Sequence, residues 1–322
     1  MSALGEFELI QEFFTRDPIP ARGTSVAVGD DCALVRVEPS TDLAITVDTL
    51  VSGVHFLPDT DPHLLGYKAL AVNLSDLAAM AAEPRWCTLA LTLPSVEQEW
   101  LKAFSAGFFE LADKYQIELI GGDTTRGPLA ISIQAMGQCP SGMALRRSGA
   151  RPGDLIYVSG PIGSAGFGLK MQQGEIKSDS ACMRALLKPE PQLELAIALR
   201  GIASACIDVS DGLLSDLGHI LTSSEVGGEI QINQIPFDPF VEAYLKQSAD
   251  YHFALTAGDD YELCFTVPPE MKERLTERTK TLGLEIYEVG RITSQRGLDV
   301  RFIDGTVMPP PKHSGFQHFE NH

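Results

Sequence analysis

No two of the six cysteines (Cys32, Cys87, Cys139, Cys182, Cys206, Cys264) form a CxxC pair. That excludes a zinc ribbon and a thioredoxin-type dithiol, and the expectation is reduced thiols packed in a cytosolic core. Basic residues are scarce, with 25 Lys and Arg against 43 Asp and Glu and a net charge of -18. A surface of that sign repels nucleic-acid phosphates and anionic lipid, so neither a nucleic acid nor a membrane is expected as partner. The opening MSALGEFELIQEFF lacks the basic and apolar regions of a signal peptide. The longest apolar helix candidate, residues 69–82, is interrupted by Asn73 and Asp76 and is too short to cross a bilayer. A soluble cytoplasmic protein is expected. The Walker pattern GxxxxGK[ST] is also missing, so the glycine-rich SGPIGSAGFG (Gly160, Gly163, Gly166, Gly168) is no P-loop. By itself it fits turn chemistry, close packing or a phosphate cradle.

What the chain does have is aspartate in short clusters: GDDCA (Asp30, Asp31), TVDTL (Asp48), NLSDLAAM (Asp76), GGDTTRG (Asp123), IDVSDGL (Asp208, Asp211) and GDDYELCF (Asp259, Asp260). Most lie beside Gly, Ser or Thr directly after a short apolar run. Hard divalent cations such as Mg²⁺ take oxygen ligands and bind through a few carboxylates plus substrate phosphates. An acidic chain that binds a polyphosphate needs cations between the two. Each aspartate alone could equally cap a helix or a turn; the recurrence at expected strand ends favours a ligand-binding array. Asp76 differs, because it falls inside an apolar helix with Asn73 on the same face, where a carboxylate is costly unless paired or metal-bound. Asp208 and Asp211 flank Ser210 just before an expected helix, whose N-terminus attracts phosphate. Arg126, Arg146 and Arg147 suit either phosphate recognition or surface salt bridges. His55, seven residues after Asp48, fits a phosphate contact or a structural role.

The length allows two domains, and 44% hydrophobic residues suit a sizeable core. In the first half, strands are predicted over residues 43–47, 87–93, 118–120 and 129–138, with helices over 62–82 and 96–115. A Gly/Pro cluster at 148–153 marks a boundary, giving domains 1–148 and 149–322. In the second half, strands are predicted over 155–158, 205–209, 263–267, 287–292 and 299–302. Helices are predicted from about 169 and over 192–200, 213–222 and 270–282. The alternation indicates an α/β or α+β fold. The tail after Pro309 reads as irregular.

Taken together, GDDCA, TVDTLVSGVHF, YKALAVNLSDLAAM, LIGGDTTRGPL, LRRSGARPGD, IDVSDGLLSDLGHI and GDDYELCF resemble the thiamine-monophosphate kinase family, from GEFELI to SGFQHF. That family belongs to a superfamily with aminoimidazole ribonucleotide synthetase. The resemblance implies a two-domain fold of that type, with an N-terminal domain that forms a homodimer and a C-terminal domain that completes a cleft. It implies ATP-dependent phosphorylation of thiamine monophosphate by direct in-line transfer, with several Mg²⁺ ions. Carried over motif by motif, Asp31, Thr46, the Val47 carbonyl, Asp48, Asp76, Asp123, Asp208 and Asp211 would ligate metal. Tyr115, Gly122, Asp123, Arg147 and Ser210 would contact ATP. His55, Asp259 and Phe316 would line the thiamine monophosphate site. Two other readings are a selenophosphate synthetase, whose reactive-cysteine segment has no good match around Cys32, and a non-catalytic nucleotide-binding regulator.

Overall fold

A computed structural model describes residues 5–16, 22–311 and 315 of the chain. Contacts divide it into two units, one of Met1–Leu77 and Ala82–Gly142, the other of Ala78–Ala81 and Met143–His322. Among the described residues no helix is long and apolar enough to cross a membrane.

The first unit contains α1 (Glu6–Phe13), a small antiparallel pair of β1 (Thr24–Val26) and β2 (Leu34–Val35), β3 (Thr41–Val51), α2 (Pro62–Ala79), β4 (Glu83–Leu93), α3 (Gln98–Tyr115), β5 (Glu118–Arg126) and β6 (Ala130–Pro140). Its main sheet runs β3-β6-β4-β5. Only β4 and β5 are parallel; the β3–β6 and β4–β6 pairs are antiparallel. β3 and β6 pair without a slip from Thr41 opposite Pro140 to Val51 opposite Ala130. Three predicted strands are too short: β4 begins at Glu83 rather than at residue 87, and β3 and β5 also extend further than predicted. β3 continues past Asp48 because Thr49 and Val51 extend the β-branched run, and β5 carries Gly121, Gly122 and Asp123 within the strand rather than after it.

α2 is apolar nearly all round and is buried on every side from residue 65 to residue 75. Its neighbour α3 buries Leu101, Phe104, Phe108 and Leu111, the helical spacing expected from the sequence. Two glycines let the helices touch backbone to backbone. A Cβ at Gly66 would stand 2.0 Å from the Phe104 carbonyl oxygen, and one at Gly107 would stand 1.8 Å from the His63 carbonyl oxygen. One face of the sheet packs Leu89, Leu91, Ile131 and Ile133 into this core. The other face leaves Leu43, Ile45 and Val47 of β3 exposed.

The second unit contains β7 (Leu155–Val158), α4 (Ser164–Gln172), α5 (Ser180–Leu187), α6 (Leu193–Leu199), β8 (Ala205–Asp208), α7 (Leu213–Ser224), β9 (Gly227–Gln231), α8 (Pro239–Ser248), α9 (Tyr251–Thr256), β10 (Leu263–Val267), α10 (Lys272–Leu282), β11 (Tyr287–Thr293) and β12 (Gly297–Arg301). Its sheet runs β12-β9-β11-β7-β10-β8 and is antiparallel except for β9 and β12. α4 starts five residues before its predicted position, because Gly166 and Gly168 are helical. They serve close packing: a Cβ at Gly166 would lie 2.3 Å from Ala257 Cβ, and one at Gly168 would lie 2.4 Å from the Cys182 carbonyl oxygen. The alternation of helix with strand is present, but both sheets are mixed, so the fold is α+β.

The helix contact in the first unit makes a graded prediction. Gly107→Ala or Gly66→Ala should lower the unfolding free energy in urea by about 2–3 kcal/mol or more, the scale of overpacking a tight core. Gly218→Ala, in α7 with open space around its Cβ position, should instead raise it by up to about 1 kcal/mol.

Candidate active site

In the first unit, the pleat of β3 puts Thr46 and Asp48 on the side of α2 and turns Val47 to the other side. α2 supplies Asn73 and Asp76, one helical turn apart. Buried Asn73 accepts the Asp48 N–H through Oδ1 (3.1 Å) and donates through Nδ2 to the Ala69 carbonyl (3.1 Å). The Thr46 hydroxyl donates to Asp76 Oδ2. Thr46, Asp48 and Asp76 are thus one group of oxygen donors, joined through Asn73. Val47 exposes its side chain on the open face, so only its main chain can serve this group.

His55 lies in the turn that follows β3. Its Nδ1 accepts the Val51 N–H (3.0 Å), and its own main-chain N–H donates to the Val51 carbonyl (3.0 Å). A neutral imidazole held this way carries its proton on Nε2, which makes Nε2 a donor. Asp31 is exposed between β1 and β2, with its N–H donating to Asp30 Oδ1 (2.8 Å).

Asp123 stands apart within this sheet. Asp48 is opposite Ile133, which is opposite Leu89, which is opposite Gly122; Asp123 belongs to the next row, with Ala90, Ser132 and Thr49. Neighbouring rows face opposite sides, so Asp123 shares the open face with exposed Ala90 and Thr49. β3 and β5 are opposite edges of the sheet, three strand spacings or roughly 14 Å apart. Gly122 is required by packing: a Cβ there would stand 1.9 Å from the Leu89 carbonyl oxygen. Tyr115 ends α3, near the start of β5, and Asp123 lies five residues along that strand, roughly 17 Å away if fully extended.

In the second unit, β8 ends at buried Asp208, and the loop after it carries Ser210 and Asp211. Main-chain bonds tie this loop to the segment before β10: the Asp259 N–H donates to the Ser210 carbonyl, and the Tyr261 N–H to the Val209 carbonyl, both at 2.8 Å. Ser210 and Asp259 are therefore neighbours. Asp259 has a left-handed φ of +70°, and its Oδ1 accepts the Tyr261 hydroxyl (2.8 Å). Glycines permit this crowding. A Cβ at Gly258 would stand 2.1 Å from the Ser210 carbonyl oxygen, and one at Gly315 would stand 2.5 Å from that of Asp211. Arg147 is exposed; its carbonyl accepts the Ser224 hydroxyl (3.2 Å), and the Arg146 carbonyl accepts the Cys206 N–H of β8 (2.8 Å). Phe316 lies outside the described residues.

Three acidic groups here were not assigned from the sequence. Buried Asp216, in the first turn of α7, brings its carboxylate, with Asp211 and His219, to within 4.8 Å of one another. Burial first, then the charges of Asp208 and Asp211, push the Asp216 carboxyl up to about 8. The spacing of Asp216 and His219 along α7 was the available signal. Asp260 is structural: its carboxylate accepts the N–H groups of Gly163 (2.6 Å) and Ala165 (3.1 Å) at the start of α4. Burial raises its pKa well above the ordinary carboxylate range. Glu262 accepts the Ser159 hydroxyl beside Gly160, and burial pushes its carboxyl up to about 7.

A family model described as AIR synthase related protein, N-terminal domain, matches residues 29–139, and its C-terminal counterpart matches residues 151–303. A thiamine-monophosphate kinase of Escherichia coli (strain K12) is 46% identical over 297 residues, 91% of this chain and 91% of its own. The chain belongs to the thiamine-monophosphate kinase family. A crystal structure of thiamine-monophosphate kinase from Stenotrophomonas maltophilia K279a superposes with a TM-score of 0.82 at 44% identity, covering 87% of this chain and 92% of that one. A structure described as AaThiL complexed with AMPPCP and TMP gives a TM-score of 0.76 at 31% identity, covering 91% and 92%.

The raised Glu262 carboxyl predicts a pH effect. The folded state holds this proton up to about pH 7, whereas the unfolded chain releases it near 4.5. The group therefore costs stability as pH rises from about 4.5, and the cost levels off above about 7. Relative to Glu262→Gln, the wild-type protein should lose on the order of 3 kcal/mol between pH 4.5 and 8. Urea titrations of both proteins across that range measure the difference.

Proposed function

We propose that this protein transfers the γ-phosphoryl group of ATP to thiamine monophosphate, giving ADP and thiamine diphosphate, in the cytoplasm as the last step of thiamine diphosphate synthesis. The family membership carries this reading, together with the oxygen donors gathered at Thr46, Asp48 and Asp76 and the loop bearing Asp208, Ser210 and Asp211. The first domain, 1–148, takes the metal, nucleotide and dimerisation roles, and the second, 149–322, completes the site.

Mg²⁺ suits the donor set, which is oxygen throughout: carboxylates, a hydroxyl and one main-chain carbonyl. Asp31, Thr46, the Val47 carbonyl, Asp48, Asp76, Asp123, Asp208 and Asp211 would hold several such ions. When bound, Mg²⁺ neutralises phosphate charge, which lets two anionic reactants approach. The chain's own part is positioning. Asn73 fixes the Asp48 main chain, and Thr46 orients Asp76. Gly122, Asp123, Arg147, Ser210 and Tyr115 face the nucleotide. His55, with its proton on Nε2, donates to the acceptor phosphate. Asp259, with Phe316, receives the cationic thiazolium. The attacking oxygen belongs to a phosphate monoester with a second pKa of about 6. It is largely ionised at neutral pH and needs no protein base, so transfer is direct and in line, without a phosphoenzyme.

The protein acts as a homodimer through the open face of the four-stranded sheet. Leu43, Ile45 and Val47 are 38%, 57% and 61% exposed there, a cluster of aliphatic residues suited to an interface core. Asp123 lies on the same face, so a second copy would also approach that residue.

A coupled ADP-release assay should give ADP with thiamine monophosphate and none with thiamine or hydroxymethylpyrimidine phosphate. ADP release at the same rate with no acceptor, or with thiamine, would overturn the reading. Asp76→Ala should lower turnover at least about a hundredfold, the scale of losing a positioned charge at a phosphoryl-transfer site, with an unchanged circular dichroism spectrum. Ile45→Glu should sediment as a monomer at concentrations where the wild-type protein sediments as a dimer.

A further inference from the structure

The loop from Asp208 to Gly212 carries three residues of the proposed site, and its shape is imposed from both sides. On one side are the main-chain bonds from Asp259 and Tyr261. On the other is a single carboxylate oxygen, Asp216 Oδ2, which accepts the N–H of Asp211 at 3.0 Å and of Gly212 at 3.1 Å. The Asp216 N–H donates in turn to the Gly212 carbonyl at 3.0 Å, so Gly212 is held at both ends of its peptide unit. Gly212 precedes α7 with φ +112° and has no side chain to cap the helix. Asp216, one turn later, does the capping instead, and at 1% exposure it does so away from water.

We propose that Asp216 is a positioning residue for phosphoryl transfer: by clamping the Asp211 and Gly212 N–H groups, it sets where the Asp211 carboxylate and the Ser210 main chain stand. The inference deepens the kinase reading and rests on its assignment of Asp208, Ser210 and Asp211. Asp216 lies close enough to Asp211 and His219 to be considered a metal ligand itself. The geometry favours the clamp, because Oδ2 already accepts two main-chain donors and the side chain is closed off from solvent. What the loop needs from position 216 is an acceptor oxygen at that point rather than a negative charge. Partners that orient metal ligands in this way matter because a ligand free to swing binds its ion weakly.

The two roles separate by substitution. Asp216→Asn keeps one carbonyl oxygen where Oδ2 stands and cannot ionise. Asp216→Glu keeps an ionisable carboxyl and moves the oxygen by one methylene. Ala removes the acceptor. Mg²⁺ is titrated calorimetrically into each full-length protein saturated with the non-hydrolysable ATP analogue AMPPCP, and the KM for thiamine monophosphate is measured beside it. Asp216→Ala should weaken Mg²⁺ binding about 10- to 100-fold, the range found when an outer partner of a metal ligand is lost. Its KM for thiamine monophosphate should stay near the wild-type value. Asp216→Glu should weaken Mg²⁺ binding about tenfold, and Asp216→Asn should stay within about threefold of wild type. A purely structural role would lower the melting temperature without moving Mg²⁺ affinity. Unchanged Mg²⁺ affinity in Asp216→Ala, or Asp216→Asn as impaired as Asp216→Ala with Asp216→Glu tolerated, would overturn the proposal. If Asp216→Ala does not fold, the Asn and Glu variants decide the matter between them. A wild-type protein that makes no thiamine diphosphate would sink the kinase reading and leave the calorimetric comparison standing on its own.

Discussion

Main-chain N–H groups hold the acidic segments of this chain in place, and much of the site's geometry follows from that. Asp216 is fixed by the N–H groups of Asp211 and Gly212, and Asp260 by those of Gly163 and Ala165. The Asp48 N–H is fixed in turn by the Asn73 amide. A lysine or arginine placed among these carboxylates would neutralise the charge that the proposed cation requires. Amide donors fix position without bringing a compensating positive charge. The crowding has an electrostatic cost: burial, then the charges of Asp208 and Asp211, push the Asp216 carboxyl up to about 8. A divalent ion would relieve that repulsion, so ligand binding and local stability are coupled.

The four-stranded sheet divides its labour by face. Toward α2 it buries aliphatic residues and presents Thr46 and Asp48 beside Asp76. Away from α2 it presents Leu43, Ile45 and Val47 and, at the opposite edge, Asp123. A period of two residues along each strand is enough to sort these roles, because a one-residue shift moves a side chain across the sheet. The exposed aliphatics are therefore best understood together with Asp123. A face that carries both an apolar cluster and a ligand-type carboxylate is suited to association and to chemistry at once.

Much of this was legible in the sequence, and the failures have identifiable physical causes. α3 was readable because Phe104, Phe108 and Leu111 repeat at helical spacing, and α2 because its apolar run is long. The sequence predicts β3 and β5 shorter than they are because Gly and Asp disfavour strands, whereas pairing to β6 and β4 carries both strands through. The glycine-rich segment after β7 was ambiguous as sequence, since glycine serves loops, phosphate approach and close packing alike. The Cβ distances at Gly166 and Gly168 decide for packing at those two positions. Asp76 was conspicuous as the one carboxylate in an apolar helix. Asp216 was not, because an acid in a first helical turn is ordinary until its burial and its two N–H partners are known. The separation of Asp48 from Asp123 is invisible in sequence, because it depends on strand order rather than on either local motif.

The net charge of -18 looks unfavourable for a protein whose two reactants are phosphates, and long-range steering alone would slow their arrival. On the proposed reading, the site chemistry would reverse the sign locally. Carboxylates holding divalent ions would turn an acidic site into one that accepts polyphosphate, and the conversion would depend on ion concentration and on ligand placement. Rigid placement matters more here than in a site built on arginine, whose guanidinium brings its own fixed fork of donors to a phosphate. A carboxylate loop recognises phosphate only through an ion it must first hold. Small shifts of the loop therefore weaken ion and nucleotide together. Under the proposed clamp, that coupling is why a buried side chain such as Asp216, which need touch neither reactant, would govern ion and nucleotide binding together.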